Sequence, residues 1–448
     1  MASEPMHIGI IGAGLGGLVA AIAIRRAGPR VTVLEQAAEL KEIGAGIQIP
    51  PNSSHILKRY GLLEKLEAAA VRPSALVFRS YRDGQVLHAL ELDPAAEKKY
   101  GSPYLLLHRA EFHTILLEEA KRLGVQVTLG CTVTAIDFDH RRVHIKGASP
   151  FVADAFIGAD GLKSSCRSAL LQQESLPKPT GDLAYRIVVN AKDIQKHKEL
   201  RELVDKPEMN YWLGPSAHVV SYLLQGGKLL NVVLLCPDNL PEMIFTEKAN
   251  LLEMRRFFEH WEPRLKLLLD LVQDTTKWKL MDSDELREWR DPSGRFALLG
   301  DACHATLPYL AQGAAQAVED GAVLGELFAR IDRKAQIPVA LSCYETLRKK
   351  RTTRIVQESA ALRHTFHMDD GAAQKERDRR LREDEPAEGF PHRWADPCFQ
   401  TWLFGYDAFA EVEKVWPSGR KEGGAGDEER RIDITNGSEN EKAICERC

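Results

Sequence analysis

HIGIIGAGLGGLVAAIAIRRAGPRVTVLE, residues His7 to Glu35, decides the fold. His7 to Ile11 is a short apolar run, Gly12 to Gly17 a glycine turn, Leu18 to Ala27 a helix closed by Gly28 and Pro29, and Arg30 to Glu35 a second strand. Two strands separated by a helix within about 30 residues make a βαβ unit, whose parallel strands require the crossover. Gly12, Gly14 and Gly17 fit GxGxxG in the context that gives the pattern meaning, after a strand and at the head of a helix. The first glycine permits the tight turn, the second lets a pyrophosphate reach the backbone, and the third lets helix and strand pack closely. Unpaired N–H groups and the positive end of the helix dipole then face the phosphates. Glu35, closing the second strand, offers a carboxylate to an adenosine ribose. The unit is a dinucleotide site, and by itself does not separate FAD from NAD.

Working outward, Ile8 to Ile24 is uncharged and near the lower length limit of a membrane span, but its glycines and the lack of a basic leader favour strand, turn and helix. Phe112, Ile115, Leu116 and Leu123 have helical spacing, followed by a strand at Val125 to Leu129, a hairpin from Val133 to Ile145 and a buried strand at Ala155 to Ala159. The middle region changes character. Leu183 to Val189, Ala217 to Leu224 and Lys228 to Leu235 read as strands, the last two joined by a QGG turn, which predicts a mainly antiparallel sheet. An amphipathic helix over Ala249 to Val272, interrupted near Pro263, leads back to the first domain. The tail from Pro417 has almost no apolar content and is expected to be disordered.

A chain of 448 residues can bury more than one core. Its 60 Lys+Arg against 64 Asp+Glu, a net charge of −4, and the absence of a basic block interleaved with aromatics argue against nucleic acid as a partner. Eight scattered cysteines form no disulfide framework, which suits a reducing, cytoplasmic setting. The final CERC places Cys445 at a prenylation position, but Glu446 and Arg447 are poor occupants of its aliphatic sites, so no membrane anchor is expected. The Cys445/Cys448 pair lacks a second ligand pair, so no metal site is expected, and the Asn436 sequon is taken as incidental.

A second stretch, GRFALLGDACHATLP at Gly294 to Pro308, brings an apolar strand into Gly300 and Asp301, and AQGAAQAVEDG then starts a helix. A buried carboxylate there costs several kcal/mol (about 3–5) unless solvated, capped or bonded to a ligand hydroxyl. The ribityl chain of a flavin supplies such hydroxyls, and the helix starting near Gly313 and Ala314 aims its dipole at the isoalloxazine, stabilising the reduced anion. A plain helix cap is the alternative for Asp301 taken alone.

These stretches, with HRAEF at His108 to Phe112 and IGADGLKSSCR at Ile157 to Arg167, resemble single-component FAD-dependent aromatic monooxygenases. GAGIQIPPNSSHIL at Gly44 to Leu57, AYR at Ala184 to Arg186, WKL at Trp278 to Leu280 and WLFGYDA at Trp402 to Ala408 resemble, more narrowly, salicylate hydroxylase-like enzymes, especially fungal ones. The resemblance spans about residues 6 to 416. It implies an α/β fold, α+β overall: a Rossmann-like FAD-binding domain from 1–75, 102–180 and 282–370, an inserted antiparallel substrate domain from 76–101 and 181–281, and a C-terminal segment, 371–416, packed on the core. It also implies that Glu35, Gln48, Arg109, Asp160, Asp301, Gly313 and Ala314 contact FAD, and that the DGxxSxxR segment of Asp160, Gly161, Ser164 and Arg167 also engages NAD(P)H, which has no Rossmann fingerprint of its own here. A surface ion pair is the alternative for Arg109 and Arg167.

In that family NAD(P)H reduces the flavin, O2 adds at C4a, and the hydroperoxide transfers OH to an activated ring. Arg186 and Tyr222 fall where fungal relatives carry a substrate-activating Arg and Tyr. Arg186 would clamp phenolate or carboxylate without losing its proton, and Tyr222 would hydrogen-bond the substrate oxygen, with a core tyrosine as the alternative. His304 is read as structural rather than as a base. Cys303 replaces the common alanine, and AQGAAQ lacks a usual asparagine, which leaves reaction geometry open. An oxidase, epoxidase or halogenase on the same scaffold, or a non-catalytic flavin-binding escort, are the competing readings; the halogenase motif WxWxIP does not occur. A monomer or homodimer acting on a small aromatic is expected.

Overall fold

The computed structural model describes residues 4–40 and 46–416. The tail from Pro417, with Cys445, Cys448 and Asn436, and the first two residues of the GAGIQIPP segment lie outside the described residues.

β1 (His7–Ile11), α1 (Leu15–Arg26) and β2 (Arg30–Leu34) follow one another as the opening stretch requires. β1 pairs in parallel with β2 on one side and with Ala155–Gly158 on the other. Phe296–Leu298 and Gln126–Thr128 add the outer strands of this five-stranded parallel sheet. Central strands of such a sheet are covered on both faces, which is why Ile8, Ile10 and Ile11 are all buried. α1 lies against the helix Gly313–Phe328 at a distance only glycine allows: a Cβ at Gly325 would stand 2.5 Å from the Ala23 Cβ.

The second layer is an eight-stranded sheet in the order Thr246–Lys248, Thr276–Asp282, Lys178–Asn190, Leu229–Pro237, Ala217–Leu224, Glu208–Gly214, Ala75–Ser80 and Val86–Glu91. Its pairings are antiparallel except that of Glu208–Gly214 with Ala75–Ser80. Strand alternation sends Tyr185, Ile187 and Val189 into one covered face and leaves Arg186 and Val188 open on the other.

The interruption expected near Pro263 divides Ala249 to Val272 into two helices, Leu251–Phe257 and Pro263–Asp270, with Pro263 in the first turn of the second, where its missing N–H leaves no hydrogen bond broken. Two differences from the sequence reading have local causes. The strand at Phe296 stops at Leu298, since Gly300, at φ +65°, turns the chain into the short helix Asp301–His304. The 30-residue helix Ile337–Phe366 was not anticipated; its buried face includes Glu345, Arg348 and Arg351, which an apolar-periodicity search passes over.

Two hydrophobic cores result, one around the parallel sheet and one around the larger sheet. The C-terminal segment serves both: Phe399, Leu403 and Phe404 join the second core, Ala408, Phe409 and Val412 the first. Among the described residues no helix is long and apolar enough to cross a membrane.

Candidate functional site

The glycine turn separates into two kinds of position. A Cβ at Gly17 would meet the Gly12 carbonyl oxygen at 2.1 Å, and one at Gly12, where φ is +106°, would meet the Ala159 carbonyl oxygen at 2.4 Å. The fold itself demands both glycines. Around Gly14, by contrast, nothing lies within 4 Å of the Cβ position, and α1 begins there with no side-chain cap. Open space in front of uncapped N–H groups is a cradle for an anion. Glu35 stands beside it, accepting from the Ala13 N–H at 2.7 Å and the Ala37 N–H at 2.8 Å. A carboxylate has about four acceptor positions, so two remain for ligand hydroxyls.

Asp160 stands between the strand Ala155–Gly158 and the helix Ser165–Leu171. Its carboxylate accepts from Ser164 Oγ at 2.5 Å, Ser165 Oγ at 3.0 Å and the Cys166 N–H at 2.9 Å, so its hydrogen bonds go to the head of the helix Ser165–Leu171. Arg167 is buried, not a surface ion pair: its guanidinium donates to Ser175 Oγ at 2.9 Å and to the carbonyls of Ala302 and Asp284. It thereby ties the DGLKSSCR segment to GDACH.

Asp301 carries a carboxylate with no hydrogen bond among the described residues, although protein surrounds it closely enough that burial raises its pKa, against the pull of His304 and Arg109. Oδ1 lies 4.0 Å from where a Gly313 Cβ would stand, at the start of the helix Gly313–Phe328, and Gln312 supplies that helix no side-chain cap. The residue is open to solvent, so ligand hydroxyls can reach its carboxylate. Ala314 is half-buried in the first turn of the same helix. The Gly14 cradle, the two free acceptor positions of Glu35 and the unbonded Asp301 together fit a flavin dinucleotide, with phosphates at one sheet strand and polyol at another.

On the open face of the larger sheet stands Arg186. Its guanidinium makes no hydrogen bond among the described residues; it lies over the Trp278 ring, 5.0 Å from the centroid. Desolvation, and after it the like charge of Arg109, lowers its pKa. The group is thus exposed, stacked on an indole, and without an anionic partner among the described residues. Arg109, in the first turn of the helix Arg109–Arg122, acts electrostatically on both Asp301 and Arg186, so the two halves of the site meet near it. Tyr222 is buried against Gly46, where a Cβ would come within 2.6 Å of its hydroxyl, and that hydroxyl has no hydrogen-bond partner among the described residues. Burial raises its pKa, and the Arg186 charge opposes that. Gln48 lies in the strand Gly46–Ile49, its Oε1 accepting from Tyr104 Oη at 2.6 Å and its Nε2 donating to Tyr211 Oη at 3.3 Å.

Sequence reading passed over two features. One is this Gln48–Tyr104–Tyr211 cluster, assembled from three distant segments. The other is a buried ionic network behind the ring end of the site. Glu319 accepts from Arg348 at 2.6 Å and Arg351 at 2.7 Å, and Asp320 from Arg348 at 2.7 Å, from His304 Nε2 at 2.6 Å and from the Gly300 N–H at 3.1 Å. His304 is therefore a bonded part of the frame, as its structural reading held. Arg351 also donates to the Trp402 and Leu403 carbonyls and lies 3.9 Å from the Tyr406 ring centroid, which gives WLFGYDA its physical sense. The adjacent acids of AVEDG and the i, i+3 arginines at 348 and 351 were the available signal.

Comparison with known proteins agrees with this geometry. Residues 6–359 match the family described as FAD binding domain. The chain is 43% identical over 416 residues to FAD-dependent monooxygenase OpS4 of Beauveria bassiana (strain ARSEF 2860), covering 92% of this chain and 97% of that protein. It is 33% identical to a 3-hydroxybenzoate 6-hydroxylase of Polaromonas naphthalenivorans (strain CJ2), covering 91% and 98%. Among solved structures, a salicylate hydroxylase substrate complex superposes with a TM-score of 0.77 at 24% identity, over 92% of this chain and 98% of that one, a likeness of fold.

Proposed function

The chain belongs to the FAD-binding-domain family of FAD-dependent monooxygenases, and from that premise we propose that it hydroxylates a phenolic or carboxylated aromatic held between Arg186 and Tyr222. It is an FAD-dependent aromatic hydroxylase that uses NAD(P)H and O2. The observation that carries the substrate assignment is the exposed guanidinium of Arg186, stacked on Trp278 with no anionic partner among the described residues, on the sheet face that also bears Tyr222.

When bound, the flavin supplies O2 activation and an electrophilic oxygen for the ring. The residues that would hold it are Gly12, Gly14, Gly17 and Glu35 at the adenylate end, and Arg109, Asp301, Gly313 and Ala314 at the ring end, with Asp160 organising the neighbouring turn. Arg186 binds the substrate oxygen as an anion. Such a charge beside a phenol, whose pKa is otherwise about 10, favours the phenolate that an electrophile attacks. Tyr222, kept protonated by burial, donates to the same oxygen. Trp278, Val188 and Val233 share the sheet face of Arg186 and would present apolar surface to the ring. The segments 1–75, 102–180 and 282–370 would serve the cofactor and 76–101 with 181–281 the substrate, in a monomer or homodimer. Cys166, Cys236, Cys303 and Cys343, all buried and unpaired, support the cytoplasm as its compartment.

The test replaces Arg186 with Lys. The variant should keep its flavin absorbance but form product at least about tenfold more slowly, because an ammonium cannot reproduce the planar fork. Unchanged turnover refutes the assignment.

A further inference from the structure

Arg186 and Tyr211 stand in one transverse row of the larger sheet. Arg186 pairs with Val233, Val233 with Val220, and Val220 with Tyr211. Three inter-strand spacings separate the ends of that row by about 14 Å. Residues directly opposite one another share a face, so two valines floor the space between the guanidinium at one end and the phenol at the other. Val233 is partly open to solvent in the middle of an eight-stranded sheet, as the floor of a recess would be. The span suits one aromatic ring with a polar group at each end.

The far end is closed by Gln48, itself half-buried, whose amide is oriented by its neighbours. Tyr104 donates to Oε1 and Tyr211 accepts from Nε2. A primary amide has two donors and two acceptor lone pairs, so one N–H and one lone pair remain. That leftover pair matches a neutral hydroxyl, which both donates and accepts. It does not suit a second carboxylate, because the groups bonded to the amide among the described residues are neutral phenols.

We propose that Gln48, set by Tyr104 and Tyr211, is a specificity-determining residue that receives a second, neutral oxygen substituent of the substrate, across the ring from the anionic group held by Arg186. The inference rests on the function proposed above. It moves Gln48 from the cofactor side, where the sequence resemblance placed it, to the substrate side.

Binding to the oxidised FAD holoenzyme, read from the change in flavin absorbance, tests this without turnover. The probes are benzoate, 3- and 4-hydroxybenzoate, and isophthalate, which carries a second carboxylate. At least one hydroxybenzoate should bind about tenfold more tightly than benzoate or isophthalate, the scale of one good hydrogen bond. Gln48→Leu should erase that preference while leaving benzoate affinity and FAD retention unchanged. Tyr211→Phe, which keeps the ring and removes the hydroxyl that orients the amide, should reduce the preference. Equal affinities in the parent enzyme, a preference that survives Gln48→Leu, or loss of FAD on that substitution would each overturn the proposal. Should Arg186→Lys leave benzoate binding untouched, the underlying function fails instead.

Discussion

Gly14 and Gly17 stand three residues apart in one motif and answer to different demands. A methyl group at Gly17 collides with the Gly12 carbonyl at 2.1 Å, whereas at Gly14 it enters open space. Gly17→Ala should therefore destabilise the fold by about 1–3 kcal/mol, in the range of overpacking changes, measured by urea unfolding. Gly14→Ala should leave the apoprotein's unfolding midpoint unchanged and weaken FAD binding; equal loss of stability in both would remove the distinction. Both glycines were legible in the sequence, because φ and close approach are local constraints. Arg186 and Tyr222 were reached only through resemblance, since nothing local distinguishes a sheet arginine that faces a recess from one that faces bulk water. A second residue-scale prediction concerns His367, whose Nε2 lies 2.8 Å from His218 Nδ1, beside Asp182, Arg363 and Tyr309. Burial lowers its pKa to about 4. Because the unfolded residue titrates near 6.5, the unfolded chain binds more protons between those values, so stability is full above about pH 6.5 and falls as pH drops toward 4. His367 alone should remove about 2 kcal/mol by pH 5, and His367→Gln should flatten that part of the pH dependence of the urea midpoint.

The helices Gly313–Phe328 and Ile337–Phe366 are joined by charge rather than by an apolar seam. Glu319, Asp320 and Arg348 are wholly buried, and Arg351 nearly so. Replacing one member leaves the others charged and unpaired, so Arg348→Met should cost about 3–5 kcal/mol in urea unfolding. A loss below about 1 kcal/mol would mean that the network contributes little. Asp320 also bonds the Gly300 N–H and His304, so the same substitution should loosen the turn that presents Asp301 and weaken FAD retention. At this scale the sequence was partly readable. The strands Ala217–Leu224 and Ala155–Gly158 and the start of the helix at Gly313 follow from apolar, β-branched runs and glycine punctuation. The long helix was not, because the polar groups on its buried face gain partners only from elements far away in the chain.

Taken whole, the molecule has two cores, and the proposed site lies where the parallel sheet's strand ends face the larger sheet. Asp182, on the strand that carries Arg186, bonds Tyr309 from the segment before Gly313 and Arg363 from the long helix, tying both layers at one buried carboxylate. A cofactor that contacts several such segments binds the folded chain and not the unfolded one. Free FAD at about 100 times its Kd should therefore raise stability by about 2.7 kcal/mol, and stripping the flavin should lower the thermal midpoint accordingly. A midpoint indifferent to FAD would contradict the site described.

By itself the sequence determined the βαβ unit, the dinucleotide turn, the antiparallel character of the middle region and the carboxylate at the later strand end. Each of these is written in residues within a few positions of one another, where φ restrictions, hydrogen-bond geometry and hydrophobic period act. Tertiary structure alone decided how the carboxylates are bonded: Asp301 has no hydrogen bond among the described residues, while Asp160 accepts from Ser164, Ser165 and the Cys166 N–H. It also decided that Gln48, Tyr104 and Tyr211 meet, and that the Arg186 guanidinium lies over Trp278 with no hydrogen bond among the described residues. Pairing and desolvation depend on what the rest of the chain brings alongside, and that is fixed by sheet register and by the packing of the two layers, not by neighbours in sequence.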